Sequence, residues 1–289
     1  MKLRKLFLTN RMLNQYFHID VQDILLAKTP KIAKRIPSFV VKALSKLIHQ
    51  DGINQFLKEN EDVTGVDFMS RVVDYFHLQY SITGEDNLPD FNSKCIFASN
   101  HPLGGADGAC LASFLGNRYE RRIKYIVNDL LYFLKPVQSI FVPINKHGSQ
   151  ARVAAQALND AFSSSDQIIT FPAGLCSRKI KGKICDLEWK KMLVVKSVEY
   201  QRDIIPVFFE AKNSNLFYAI ANIRQKLNIK FNIEMLFLPH ELFKLRKAKN
   251  TPFIIHFGKP IPWQTFDSSK SPQQWTDWVK QTVYNLVRK

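Results

Sequence analysis

The chain has 289 residues, 46% of them hydrophobic, enough for one large core with or without a smaller appendage. Lys and Arg outnumber Asp and Glu by 41 to 25, and the formal charge of +16 calls for an anionic partner: nucleic acid, an acidic membrane surface, an acidic carrier protein or a phosphorylated substrate. No apolar run approaches the ~18 residues of a spanning helix, which excludes a transmembrane reading.

Taken in chain order, residues 1–80 read as an N-terminal helical region. Residues 1–50 hold ten Lys or Arg and two Asp, half of the net charge. The opening "MKLRKLFLTNRMLNQYF" is basic but has neither a long apolar core nor a small-residue cleavage site, so it is not read as a signal peptide. In "PSFVVKALSKLIHQDGINQFLKE", Phe39, Val40, Ala43, Leu44, Leu47 and Ile48 share one helical face, with Lys42, Lys46 and His49 elsewhere. In "DFMSRVVDYFHLQY", Phe68, Val72, Tyr75 and Phe76 form a second stripe. Basic amphipathic helices of this kind bind anionic interfaces. The expectation is a membrane-surface role for residues 1–49 and a covering role over the main domain for 67–80; the plain alternative for the charge is a solvated basic face.

From residue 94 the pattern changes. The segments 94–100, 123–128, 139–145, 167–173 and 203–211 are short apolar runs bounded by turn formers or charge, and read as strands. Helical stretches separate the later ones. Val153, Ala157, Leu158 and Ala161 are expected to face inward on one; Trp189, Leu193, Val194 and Val198 on the next. Further strands are predicted at 233–239 and 252–261, and a terminal helix closes the chain. Alternating strand and helix predicts an α/β fold with a mostly parallel sheet flanked by helices. The expected division is residues 1–80 and a catalytic domain over 81–289.

The stretch "FASNHPLGGADGACL" breaks the pattern of an ordinary turn. Ligands of open α/β sheets bind beyond the carboxyl ends of the strands, and here the first strand ends in Asn100-His101. His101 is the candidate general base, since imidazole accepts a proton near neutral pH. Asp107, six residues on, can fix its tautomer if Gly104-Gly105 folds the chain back. The competing reading is an N-capping Asp and a structural histidine. Two further strand ends carry polar residues: Asn145-Lys146, and Gly174 with Ser177 and Arg178, which offer a loop, a hydroxyl and a guanidinium to an anion.

Other chemistries find no pattern. The Gly-Lys order of a Walker loop and the Gly-x-Ser-x-Gly elbow are both absent. Cys95, Cys110, Cys176 and Cys185 form no Cys-x-x-Cys pair and have no metal-ligand spacing with histidine; a reducing cytoplasm is expected. Cys176 lacks a histidine partner in the sequence and is not read as a nucleophile. His147 and His256 are read as loop and strand histidines without a catalytic role.

Over about residues 80–262 the sequence resembles the glycerophospholipid acyltransferase family, which contains the 1-acylglycerol-3-phosphate acyltransferases. Asn100-His101 with Asp107 matches the family's catalytic block. Ile144-Asn145-Lys146 corresponds to a block ending Ile-Asp-Arg. Phe171-Pro172-Ala173-Gly174 with Ser177-Arg178 resembles Phe-Pro-Glu-Gly-Thr-Arg-Ser, and Pro206 lies in a similar apolar strand. "HPLGGADG" is more like the branch that O-acylates aminolipids such as ornithine and glycine lipids. Ala173 replaces the family's Glu, Cys176 occupies its Arg position, and Asn145-Lys146 replaces Asp-Arg. By the resemblance, these changes fall where the acceptor headgroup would bind.

The resemblance implies an O-acyltransferase that moves a fatty acyl group from acyl carrier protein or coenzyme A to a lysolipid hydroxyl. The acceptor would be either lysophosphatidate or an N-acyl amino acid. His101 and Asp107 would be catalytic, and Asn100, Lys146, Gly174, Ser177 and Arg178 would bind substrate. No metal or bound cofactor and no nucleic acid is expected, and the location implied is peripheral, at the cytoplasmic face of the inner membrane. Two alternatives stay open: a catalytically inactive basic protein binding lipid or nucleic acid on the same fold, and a hydrolase using the same His-Asp pair.

Overall fold

The computed structural model describes residues 18–28, 33, 35–128, 134–144, 151–228, 232–248 and 252–287. Helices α1 (Val21–Lys28), α2 (Ser38–Leu47), α3 (Gln50–Glu59) and α4 (Gly65–Tyr75) come first. Then follow β1 (Tyr80–Thr83), β2 (Cys95–Ser99), α5 (Ala106–Arg118), β3 (Ile123–Asn128) and β4 (Phe141–Ile144). Next are α6 (Ala151–Ser163), β5 (Gln167–Thr170), a hairpin of β6 (Arg178–Ile180) and β7 (Lys183–Cys185), and α7 (Met192–Glu199). The chain continues through β8 (Asp203–Glu210), α8 (Asn215–Lys226), α9 (Leu238–Ala248), β9 (Phe253–Phe257) and α10 (Pro272–Asn285).

The main sheet has the order β1-β9-β8-β2-β5-β3-β4. The five strands from β8 to β4 are parallel; β9 runs antiparallel to β8, and β1 runs parallel to β9. The α/β architecture with a mostly parallel sheet is therefore as expected. Side chains alternate across the strands. Phe97, Tyr125, Ile169, Ile205 and Val207 belong to the core on one face, beneath Leu111 and Leu115 of α5. Ile96, Ala98, Ile168 and Ile204 belong to the core on the other, under Trp189, Leu193 and Val279. Central β2 is buried at every residue, as a strand covered on both faces must be.

The amphipathic stripe of α4 faces the protein: Phe68 and Phe76 join the same core as Phe97, Val72 and Tyr75 pack against it, and Val66 is buried there too. Gly116 of α5 permits this approach, because a Cβ there would lie 2.5 Å from the Val66 methyls. Nearer the N-terminus, Val21, Leu25 and Ile48 form a small separate cluster with Val41 and Leu44. His49 adopts a left-handed conformation, φ 55°, and splits the expected continuous helix into α2 and α3.

Several expectations are corrected. Residues 233–239 form no strand; Ile233–Phe237 is a 3₁₀ turn leading into α9. The apolar run is too short to separate strand from helix by periodicity, and Glu234 is buried there between Arg178 and Arg224 at 2.7 and 2.9 Å. Val153 of α6 and Val198 of α7 are exposed, because each helix turns its Ala- or Leu-bearing side inward instead. A residue that patterning passed over holds α6 to the sheet. Buried Arg202 donates to the carbonyls of Phe162, Asp166 and Ser164 at 2.8, 2.8 and 2.5 Å, satisfying acceptors that the helix end leaves open.

Candidate active site

Parallel register places Ala98 of β2 opposite Thr170 of β5. The chains leaving those two strands therefore emerge side by side. His101 follows β2, Phe171 follows β5, and their rings stack with centroids 3.9 Å apart. The ring of Tyr125 on β3 lies tilted against Phe171, centroids 5.7 Å apart.

His101 Nδ1 lies 3.0 Å from Asp107 Oδ2. The turn that creates this contact is built around the carboxylate. Oδ2 also accepts the N–H groups of Leu103 and Gly104 at 2.9 and 3.3 Å, and Oδ1 accepts that of Gly108 at 2.8 Å. Asp107 stands in the first turn of α5, where the helix dipole favours a negative charge. Gly104 has φ +76°, and a Cβ there would collide with the Cys176 sulfur. Glycine thus serves both the conformation and the close packing of the two loops. These three N–H groups are engaged by Asp107, so the turn offers them to no other anion.

Burial works to raise the Asp107 carboxyl. The His101 ring and the N–H groups of Leu103 and Gly108 outweigh it and hold the group below its ordinary value. Burial likewise works to lower His101, but the charge and hydrogen bond of Asp107, with a smaller contribution from Asp186, hold the imidazole above its ordinary value. An acceptor-only carboxylate assigns the Nδ1 proton to the His101–Asp107 bond. Nε2 is left as the proton-accepting nitrogen, and among the described residues no hydrogen bond engages it. This is the arrangement of a general base with its orienting acid.

The loop after β5 closes behind His101. Ser177 donates its N–H to the His101 carbonyl at 2.7 Å and its hydroxyl to Asp186 Oδ1 at 2.6 Å. Asp186 Oδ1 accepts the His101 N–H at 3.2 Å, and its Oδ2 accepts Trp189 Nε1–H at 2.9 Å. Asp186 was not singled out from sequence: it lies 85 residues from His101 with no motif around it. Burial raises its carboxyl, an effect that Ser177 and Trp189 partly offset. The α10 helix supports this segment, with Lys280 Nζ donating to the Asp186 and Leu187 carbonyls at 2.9 and 2.7 Å and Tyr284 accepting the Asp186 N–H at 2.7 Å.

The other residues singled out from sequence are placed as follows. Asn100 is buried and pairs its amide with the main chain of Phe209, donating at 3.0 Å and accepting at 2.7 Å. Arg178 is buried against Glu234, and also donates to the Cys176 carbonyl at 2.6 Å. The polar groups of Asn100, Ser177 and Arg178 are thus engaged by the protein around the His101 loop. Gly174 is exposed with φ +68° and open space beside it. Lys146 and His147 lie outside the described residues. Cys176 is buried, and burial chiefly pushes its thiol up to about 12, so it rests as the neutral thiol. His256 bonds Thr83 at 2.8 Å and Glu210 at 3.1 Å at the β1–β9 side of the sheet, away from the reaction loops.

A parallel sheet presenting a histidine–carboxylate pair at its strand ends is suited to base-assisted chemistry. A family model described as "Acyltransferase" matches residues 23–289, and the chain belongs to that acyltransferase family. Among its relatives is the lyso-glycine lipid O-acyltransferase of Bacteroides thetaiotaomicron, 49% identical over 270 residues, covering 93% of this chain and 98% of that protein. The protein of the same name from Phocaeicola vulgatus is 48% identical over 270 residues, covering 93% and 95% respectively. Among solved structures, the 1-acyl-sn-glycerophosphate (LPA) acyltransferase PlsC from Thermotoga maritima aligns with a TM-score of 0.48 at 15% identity, over 87% of this chain and 94% of that one.

Proposed function

We propose that this acyltransferase completes a glycine lipid by O-acylating its lyso form, with acyl carrier protein or coenzyme A as thioester donor. The observation that carries the reading is the 3.0 Å contact between His101 Nδ1 and Asp107 Oδ2, which leaves Nε2 to act as base. Nε2 takes the proton of the acceptor hydroxyl as its oxygen attacks the thioester carbonyl. Asp107 stabilises the imidazolium that forms. Collapse of the tetrahedral adduct breaks the C–S bond, and the Nε2 proton passes to the departing thiolate. The ester, the free thiol and neutral His101 remain.

The acceptor assignment is supported by relatives at nearly half identity along nearly the whole chain. Replacement of the anion-binding block fits the same view. Arg178, expected to hold a headgroup anion, is paired with Glu234, and Lys146 remains a proposed acceptor contact. The protein acts as a peripheral enzyme at the cytoplasmic face of the inner membrane, where both its acceptor and its product reside. No helix among the described residues is long and apolar enough to cross a membrane.

The test is acyl transfer by purified protein in vesicles from labelled acyl carrier protein, with a lyso-glycine lipid and lysophosphatidate supplied in parallel. His101-dependent transfer to the glycine lipid is expected. Preference for lysophosphatidate would overturn the acceptor assignment. Transfer that survives His101→Ala would overturn the mechanism, and acyl release without an acceptor would make the protein a hydrolase.

A further inference from the structure

Helix α8 buries Phe217, Tyr218 and Ala221 against the loops behind the active site. An ordinary surface helix would then be polar on its outer side. This one is not. Leu216, Ile223 and Leu227 are 52%, 55% and 65% exposed, and with Ile220 they follow the i, i+4, i+7, i+11 spacing of a single stripe. The helix carries no acidic residue.

The β6–β7 hairpin adjoins it. Ile184 packs into the cluster of Phe217 and Tyr218, and Lys179 Nζ reaches Asn215 Oδ1 at 3.5 Å. The hairpin tip exposes Lys179, Lys181 and Lys183 around Ile180, itself 44% exposed. It too contains no acid. An apolar stripe beside a lysine cluster is complementary to a bilayer with anionic headgroups, which takes the aliphatic side chains into its acyl boundary and the ammonium groups at its phosphates.

We propose that the outer stripe of α8 and the β6–β7 hairpin form the surface by which the protein docks on an anionic bilayer. This rests on the membrane-surface reading above and assigns it a place. The placement has a chemical reason. Arg178, the first residue of the hairpin, follows directly on Ser177, whose N–H and hydroxyl hold the His101 loop. Docking through the hairpin sets the catalytic loop next to the lipid that carries the acceptor hydroxyl.

The experiment is flotation of the full-length protein with vesicles of phosphatidylcholine alone and of phosphatidylcholine with phosphatidylglycerol. Two variants are compared, L216S/I223S/L227S and K179E/K181E/K183E, with K42E/K46E on α2 as a third. Wild type is expected to bind the anionic vesicles. The stripe and hairpin variants should each weaken that binding by about tenfold or more, and K42E/K46E by no more than about twofold. Turnover of a short-chain, water-dispersed acceptor should be unchanged in the stripe variant, which shows that it is folded.

Retained vesicle binding in the stripe and hairpin variants, with loss in K42E/K46E, would overturn the assignment in favour of the N-terminal helices. Failure of the wild type to bind anionic vesicles would overturn the membrane reading itself. If wild type is a dimer without lipid, and L216S/I223S/L227S is monomeric yet floats normally, the stripe is a subunit interface and the proposal falls. If the lysine variant loses only its affinity for acyl carrier protein, the hairpin is a donor site and the proposal falls likewise.

Discussion

Asp186 meets His101 at the main chain, not at the ring: its Oδ1 accepts the histidine N–H at 3.2 Å while holding the Ser177 hydroxyl at 2.6 Å. The imidazole is thereby fixed twice, by Asp107 at Nδ1 and by Asp186 at the backbone. Asp186 is a positioning residue, and Asp186→Ala should lower kcat by about tenfold to a hundredfold while leaving KM for the acceptor within about threefold. Asp186→Asn should move the acid limb of the pH–rate profile to lower pH, because it removes a negative charge that raises His101. An unmoved limb with normal kcat would reduce Asp186 to a packing residue.

The Asp107–His101 pair dictates a pH dependence. Its sign follows from the raised imidazole: as the proposed general base, His101 works only when neutral, so kcat/KM should climb as pH rises through a His101 pKa above 6.5. Asp107→Asn should reduce kcat by about 10²–10⁴-fold and shift the limb downward, since the charge that favours imidazolium is gone. Near-normal turnover in that variant would show that the pair does not act together.

The same pair should be visible in stability. His101, raised in the folded protein, contributes fully below the unfolded value of 6.5, and the contribution fades as pH rises through the folded value. Asp107, lowered in the folded protein, contributes above 3.8 and loses its share as pH falls through its folded value. The difference in Tm between wild type and His101→Gln should therefore be largest between pH 3.8 and 6.5 and shrink towards alkaline pH. Melting curves across pH 4–9 check this, and a difference that grows on the alkaline side would contradict it.

Arg202 offers a test confined to the fold. Its buried guanidinium serves the carbonyls of Phe162, Ser164 and Asp166 around the end of α6, so Arg202→Met should strand those acceptors and cost about 3 kcal/mol. Denaturant unfolding measures the loss. Molecules that remain folded should keep the wild-type KM and pH profile, because Arg202 does not touch the reaction loops.

Much of this was readable in the chain. Strands β2, β3, β4, β5 and β8 announce themselves as apolar runs between turn formers, and His101 with Asp107 stands out because a turn has no need of a histidine. What escaped reading depends on contacts distant in sequence. Asp186 acquires its role from residues 85 positions away. Glu234 sits in an apolar run because Arg178 and Arg224 meet it there. Arg178 looked like a ligand for an external anion, and its carboxylate partner, 56 residues on, is visible only once the chain is folded. Strands β1 and β6 were too short and polar to signal themselves, with ladders of four and three residues.

Lys280 and Tyr284 lie on the terminal helix, yet they hold the segment that carries Asp186 and so, at one remove, the main chain of His101. The histidine is made early and its last support late. A nascent chain can form β2 and the glycine turn long before residue 280 exists, but it cannot complete the anchorage behind them. The anchorage behind the histidine is therefore complete only once Lys280 and Tyr284 have been made, and a chain cut short before them would carry His101 and Asp107 without that brace.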